Sequence, residues 1–210
     1  MKAEKKKMIE EHLKGRDIND PAVLRAMETV DRSLFVPENL RPYAYADRPL
    51  AIGHQQTISQ PYIVAFMAQS LKLTSEDTVF EGGTGCGYNA AVLAQIAKTV
   101  YSVEVIPELV DTAKTNLGKT GITNIEIKQG DATQGWPQKA PFDAIILTAA
   151  PPSLPPLLPE QLKVGGRLLA PLGNQTQNLV LFHKNEDGRL QEETLLPVRF
   201  VPMTGEGPCG

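Results

Sequence analysis

Apolar residues follow two different periods along this chain, and the change comes near residue 74. Before it, apolar positions recur every three or four residues, which is the spacing of helices. We predict three helices in this part: a peripheral one in the first 16 residues, one that begins at Asp20, and one over 59–72. The third helix should bury Ile63, Phe66, Met67 and Leu71. Residues 1–73 are therefore predicted to form a helical N-terminal extension.

After residue 74, short apolar strands alternate with helices. The strands are predicted at 78–82, 100–105, 124–128 and 142–148, with helices over 87–97 and 107–117. Such alternation is typical of a parallel sheet with helices on both faces. The last two or three strands have no helix between them, so we expect hairpins and an antiparallel edge. The predicted class is α/β, a doubly wound, mostly parallel sheet over residues 74–210, within one domain over residues 1–210.

Composition and charge limit the possible partners. The 210 residues are 41% hydrophobic and 21% charged, with a net charge of −3, so the basic excess typical of nucleic-acid binders is missing. No apolar stretch is long enough to span a bilayer, and the N-terminus lacks the apolar region of a secretory signal. We expect a monomeric, cytoplasmic protein with no nucleic-acid or membrane partner.

The cysteines give no indication of a metal site. Cys86 lies in a glycine-rich turn and Cys209 lies next to the last residue, and neither has a second Cys or a His at zinc-like spacing. We therefore expect two free thiols and no bound metal.

The segment VFEGGTGCGYNAAVLA, residues 79–94, carries the densest chemical signal. A buried strand ends at Glu81, and Gly83, Gly85 and Gly87 precede the next helix. Glycines allow a sharp turn with positive φ and let a ligand lie against the backbone at a helix N-terminus. This pattern predicts an adenosine-type cofactor. The spacing also fits the G-x-G-x-x-A motif of dinucleotide folds, so an NAD-dependent dehydrogenase stays open at this point.

Two acidic residues follow the next strands, at the same edge of the predicted sheet. Glu104 ends the second strand, where these folds place an acid for the ribose hydroxyls. Asp131, in the sequence GDAT, follows the third strand and can accept a hydrogen bond from an adenine amino group or cap a turn. Both residues are candidate cofactor contacts.

Two irregular stretches are further candidates. Residues 41–59 contain aromatic, amide and hydroxyl side chains and are too long and polar for a simple connection, so we expect a site-bearing loop. In it, His54 is either a base or a structural residue, and Tyr43 and Tyr45 either wall a groove or pack. The proline-rich stretch at 149–160 either flanks the cofactor or serves as a rigid connector.

Taken together, these segments resemble the protein-L-isoaspartate O-methyltransferase family, which are Rossmann-like enzymes that use S-adenosylmethionine. The likeness is carried by residues 41–65, 81–94, 100–109, 130–133, 142–152, 163–173 and 200–205. QTISQP and VPMTG are its most specific motifs. The resemblance implies that Ser59 is the active-site residue, although Ser59 can also be read as a helix N-cap. The cofactor contacts it implies, together with those suggested by the motifs above, are Gln56, Thr57, Ile58, Glu81, Gly83, Gly85, Gly87, Glu104, Asp131, Ala132 and Thr204.

The activity implied by this resemblance is methyl transfer from S-adenosylmethionine to the free carboxylate of isoaspartyl residues in damaged peptides and proteins. Two alternatives stay open: a methyltransferase with another substrate, and a catalytically silent cofactor-binding module. The sequence also departs from the family pattern at two positions. Gly82 replaces a usual apolar residue, which should loosen the packing behind the cofactor, and Val105 replaces a polar residue at the rim of the ribose pocket.

Overall fold

A seven-stranded sheet forms the centre of the computed structural model, which describes residues 2–205. The strands of this sheet are β3 (Thr78–Gly82), β4 (Thr99–Glu104), β5 (Ile125–Gln129), β6 (Phe142–Leu147), β7 (Leu162–Leu172), β8 (Gln177–Lys184) and β9 (Leu190–Val198). Their order is β5-β4-β3-β6-β7-β8-β9. The strands from β5 to β7 pair in parallel, and β8 and β9 add two antiparallel pairs. The predicted α/β class with an antiparallel edge is confirmed.

The helices lie close to their predicted positions. They are α1 (Lys2–Lys7), which continues as a π-helical segment (Met8–Lys14), α2 (Pro21–Thr29), α3 (Pro61–Ser70), α4 (Tyr88–Ala94), α5 (Pro107–Leu117) and the one-turn α6 (Leu157–Glu160). Asp20 caps α2 as predicted, because its carboxylate accepts hydrogen bonds from the backbone N–H groups of Ala22 and Val23. None of the helices in this described part of the chain could cross a membrane.

The predicted loop over 41–59 contains regular structure that the sequence analysis missed. Strands β1 (Leu50–Gly53) and β2 (Gln56–Ile58) form an antiparallel hairpin, preceded by a 3₁₀ helix (Glu38–Tyr43). The two residues at the tip of the hairpin, His54 and Gln55, both have positive φ, at 51° and 58°. Tight hairpin turns require this conformation.

Side chains of each strand alternate between the two faces of the sheet, so two clusters of buried side chains form. In β3, Val79 packs into the cluster that includes α2 to α5, whereas Phe80 belongs to the cluster on the opposite face. That second face is covered by shorter segments. They contribute Trp136, which follows β5, and Leu158 of α6. Both faces of the central strands are therefore buried.

The N-terminal extension shares its core with the sheet. Met8 and Leu13 are fully buried in the same cluster as Val79, and this supports the prediction of a single domain. Met67 and Leu71 are buried as predicted, whereas Ile63 and Phe66 are only half-buried. The reason is that the buried face of α3 is centred on Val64, Ala65, Met67 and Ala68.

A buried polar network lies beneath the turn that follows β3. The carboxyl group of Glu81 is fully buried and accepts hydrogen bonds from the Asn89 amide, at 2.8 Å, and from the Ser102 hydroxyl. The hydroxyls of Ser102 and Thr84 lie 2.6 Å apart. Burial raises the pKa of Glu81 to about 7, the two hydrogen bonds oppose this, and the nearby charge of Glu104 adds to it.

This network predicts a pH-dependent stability. The ordinary pKa of a glutamate is 4.5, so between this value and about 7 the folded state holds a proton at Glu81 that the unfolded chain has released. The free energy of unfolding should therefore fall as pH rises through this window, by up to about 3 kcal/mol. Glu81→Gln should remove this loss, so the variant gains stability relative to the wild type between pH 5 and pH 8 in chemical denaturation.

The matched control is Glu108→Gln, which removes an exposed carboxylate on α5. The free energy of unfolding of this control, relative to that of the wild type, should change much less over the same pH range. If the free energy of unfolding of Glu81→Gln differs from that of the wild type by the same amount at pH 5 and pH 8, the prediction is contradicted.

Candidate functional site

The carboxyl ends of the parallel strands and the hairpin β1–β2 enclose a cleft. It holds about 530 Å³ of empty space, a figure that includes open solvent. Seven of the predicted site residues line it: Gln56, Thr57, Gly83, Gly85, Glu104, Ala132 and Thr204. Positions far apart in the sequence are thus brought together at one edge of the sheet, as expected for this class of fold.

The glycine turn forms the inner wall of the cleft. Gly83 has a φ of +98°, and its N–H donates a hydrogen bond of 2.8 Å to the carbonyl oxygen of Val103. A Cβ atom at this position would collide with the hydroxyl of Thr148. The absence of a side chain therefore keeps the backbone close to the ligand space.

Gly87 has a different role from the one predicted. It lines no part of the cleft, is buried, and immediately precedes α4 with a φ of +89°. A Cβ atom here would lie 3.3 Å from Leu117 on α5, so the glycine allows the two helices to pack closely.

Glu104 joins two strand ends at the cleft. One carboxylate oxygen accepts a hydrogen bond of 2.8 Å from the N–H of Gly85, and the other accepts one of 3.0 Å from the N–H of Ile106. Each oxygen keeps a further lone pair, so the fixed carboxylate can also accept from two neighbouring hydroxyl groups. This is the chemistry of a ribose-binding residue.

Asp131 caps a turn, which is one of the two roles left open for it. Its carboxylate accepts a hydrogen bond of 2.8 Å from the N–H of Thr133, and this places Ala132 in the wall of the cleft. The contact between Asp131 and an adenine group stays a prediction.

The hairpin β1–β2 and the residue after it carry two free hydroxyl groups. Thr57 and Ser59 make no side-chain hydrogen bond to any residue in 2–205. The capping role considered for Ser59 is wrong, since Asp47 instead accepts a hydrogen bond from the N–H of Tyr62 in the first turn of α3. Ile58 is 3% exposed and packs in the core, with part of its surface facing an inner pocket beside the glycine turn.

A groove lies beside the cleft, and the two share a wall. The groove is lined by Ser59, Ile63 and the segment 197–201, among others. Three residues line both spaces: Thr57, Thr148 and Val201. A ligand in the cleft and a chain in the groove can therefore approach each other next to the Ser59 hydroxyl.

Several residues of the site were missed by the sequence analysis. Thr148 directly follows β6, so the rule that ligands bind at the carboxyl edge would have identified it. Val201 and Met203 line the cleft because their backbones pair with Ala150, through hydrogen bonds of 2.9 and 2.8 Å. Only the general resemblance of VPMTG pointed to this segment.

Two expectations about β3 need correction. The side chain of Glu81 is fully buried in its network with Ser102 and Asn89 and does not line the cleft. Gly82 does not loosen the packing, because a Cβ atom there would lie 2.6 Å from the Leu147 side chain, which fills the space. Val105 does line the cleft, as expected for the rim.

The remaining candidates lie outside the cleft and the groove. His54 is exposed at the hairpin tip, Tyr43 is exposed, and Tyr45 is buried and donates a hydrogen bond of 2.6 Å to Asp31. Of the stretch at 149–160, only Ala149 lines the cleft. These positions give no support to a catalytic base at His54.

One of the two cysteines lies in the described part of the chain. Cys86 is a buried free thiol, and burial raises its pKa to about 11. Cys209 lies outside the described residues. Within 2–205, no three His, Cys, Asp or Glu side chains form a group that could hold a metal ion.

The sequence is similar to proteins named protein-L-isoaspartate O-methyltransferase. The relative from Opitutus terrae, named protein-L-isoaspartate O-methyltransferase, is 51% identical over 98% of this chain and 88% of its own length. The relative from Gloeobacter violaceus, with the same name, is 48% identical over 96% of this chain and 98% of its own length.

Solved structures match the fold over nearly the whole chain. A protein-L-isoaspartate O-methyltransferase superposes with a TM-score of 0.87 at 29% identity, covering 96% of this chain and 66% of that one. A putative protein-L-isoaspartate O-methyltransferase from Plasmodium falciparum, solved in complex with S-adenosyl-L-homocysteine, gives 0.84 at 27% identity, with 95% and 97% coverage.

A family model agrees with these matches. The model described as protein-L-isoaspartate(D-aspartate) O-methyltransferase covers residues 3–207, which is almost the entire sequence. The resemblance first seen in the motifs is therefore confirmed by the whole chain and by its fold. This chain belongs to the protein-L-isoaspartate(D-aspartate) O-methyltransferase family.

Proposed function

We propose that this protein transfers a methyl group from S-adenosylmethionine to the free carboxylate of isoaspartyl residues in damaged proteins, which initiates their repair. The observation that carries the proposal is the wall shared by cleft and groove at Thr57, Thr148 and Val201. A methyl donor and a peptide carboxylate must meet for this reaction, and these spaces meet at the family's active-site segment.

The residues of the cleft fit the cofactor. Glu104 offers two fixed carboxylate oxygens to the ribose hydroxyls, and the glycine turn at Gly83 leaves the backbone open to a ligand. Gln56, Ala132 and Thr204 line the same cleft and would contact the bound cofactor. When bound, S-adenosylmethionine supplies an activated methyl group.

The protein needs no strong base for this reaction. A peptide carboxylate with a pKa near 4 is already ionised at neutral pH, which agrees with the exposed position of His54 away from the cleft. Removal of water would raise that pKa unless donors stabilise the anion. The free hydroxyls of Ser59 and Thr57 can donate to it and orient it, and such positioning is worth roughly 7 to 11 kcal/mol in favourable cases.

The proposal includes the finer expectations about partners and location. We infer a monomeric, cytoplasmic enzyme, one domain over residues 1–210, that acts on isoaspartyl peptides and proteins and binds neither nucleic acid nor membranes. The net charge of −3 supports the lack of a nucleic-acid partner.

The direct test of this activity uses paired peptides. With radiolabelled S-adenosylmethionine, the protein should label an isoaspartyl peptide and leave the matched aspartyl peptide unlabelled, because only the former offers a free main-chain carboxylate. Equal labelling of both peptides would refute the proposed substrate. Binding of S-adenosylhomocysteine without any labelling would favour a silent binding module.

Replacement of the ribose-binding residue should weaken cofactor binding. Glu104→Ala removes a charged acceptor and the anchor of the Gly85 turn, so the affinity for S-adenosylhomocysteine should fall by about 1 to 3 kcal/mol in calorimetry. The control Glu108→Ala removes an exposed carboxylate on α5 and should bind as the wild type does. Unchanged affinity of Glu104→Ala would exclude the ribose contact.

Replacement of the free hydroxyl should act on turnover instead. Ser59→Ala removes a donor to the reacting carboxylate, so kcat should fall by about 10²-fold while the affinity for S-adenosylhomocysteine changes little. Ser75→Ala, which alters an exposed serine that does not line the groove, serves as the control. A Ser59→Ala variant with wild-type kcat would remove Ser59 from the catalytic site.

A further inference from the structure

A second trough extends the groove, and amide side chains form one of its walls. We call it the amide trough; it is lined by residues 174–178, 197–200 and Pro202. Asn174, Gln175 and Asn178 are exposed, and their side chains make no hydrogen bond to any residue in 2–205. Each amide therefore has both donors and its acceptor free to bind a ligand in the trough.

The amide trough adjoins the Ser59 groove. Both are lined by the same four residues, Pro197 to Phe200. A peptide whose reacting carboxylate lies at Ser59 therefore needs to pass only this segment to reach the amide trough. The trough alone encloses about 1310 Å³, including space open to solvent.

Fixed backbone contacts hold the amide trough in shape. Gln177 is buried, accepts a hydrogen bond of 2.6 Å from the N–H of Phe200 and donates one of 3.2 Å to its carbonyl oxygen. At the start of the turn, Gly173 has a φ of +120° and donates to the carbonyl oxygen of Pro151 at 3.1 Å. The backbone of this wall is therefore fixed before binding, so only the amide side chains have to be ordered when a ligand arrives.

The chemistry of the lining fits a peptide main chain. Every peptide unit other than proline offers one N–H and one C=O, and amide side chains bond both, whatever the neighbouring side chains are. Arg199 is the only cation among the lining residues, too little charge for a nucleic-acid backbone. The lining thus favours recognition of a chain without regard to its sequence.

We propose that the amide trough is a subsite for the substrate main chain on one side of the isoaspartyl residue. The proposal rests on the proposed function, and it assigns to Asn174, Gln175 and Asn178 the binding of flanking peptide units. The subsite contributes to peptide affinity and leaves the reacting groups at Ser59 unchanged.

The test compares peptides of different length. The reference is a blocked tripeptide with isoaspartate in the middle, and two further peptides extend it by four residues on either side. With the wild type, one of the extensions should lower KM by roughly tenfold, as expected for two or three additional hydrogen bonds. The triple variant Asn174→Ala, Gln175→Ala, Asn178→Ala should lose this gain, while the KM and kcat for the tripeptide stay as in the wild type.

A matched control replaces two exposed amides outside the trough, Gln138→Ala and Gln191→Ala, and should keep the gain. Melting temperature and the Kd for S-adenosylhomocysteine verify that each variant is folded. If the triple variant does not fold, Asn178→Ala alone is tested, and its KM for the extended peptide should be roughly threefold higher than that of the wild type.

Three outcomes would overturn the proposal. In the first, the triple variant keeps the lower KM for the extended peptide. In the second, neither extension lowers KM for the wild type. Both results would leave the methyltransferase activity in place and exclude the subsite. If the wild type methylates no isoaspartyl peptide, the proposed function falls and the subsite falls with it.

Discussion

The hydrogen bonds of Glu104 to the N–H groups of Gly85 and Ile106 are the interaction on which the site depends. They tie the turn after β3 to the turn after β4, so the glycine turn is held open at the edge of the sheet. Because both oxygens are already fixed by the backbone, the carboxylate does not have to be ordered when a ligand binds. The cleft is preorganised by the residue that is proposed to bind the ribose.

The opposite wall comes from the end of the chain. Gln177 holds Phe200 through two hydrogen bonds, and Ala150 pairs with Val201 and Met203. These contacts place one short segment against the cleft, the groove and the amide trough at once. Cofactor binding, methyl acceptance and peptide binding are therefore proposed to share one structural element.

The hydroxyl groups of Thr57 and Ser59 are free to bind a ligand, and other residues make the hydrogen bonds that stabilise the fold nearby. Asp47 accepts a hydrogen bond from the N–H of Tyr62 in the first turn of α3, and Ser59 makes no side-chain hydrogen bond within residues 2–205. Behind the glycine turn, Glu81 is retained in a buried network with a raised pKa instead of facing the ligand. Of the two acidic residues near the ends of β3 and β4, Glu104 lines the cleft and Glu81 does not.

Features that depend on neighbours in the chain were determined by the sequence alone. They are the cap at Asp20, the order of strands and helices from β3 to β6, the glycine turn, and the position of Glu104 at a strand end. Local hydrogen bonding and hydrophobic periodicity suffice for these. Only the tertiary structure decided that Glu81 and Gly87 serve packing, and that Gln177 holds a segment 23 residues away. Such contacts depend on how strands and loops come together in space, which no short-range pattern records.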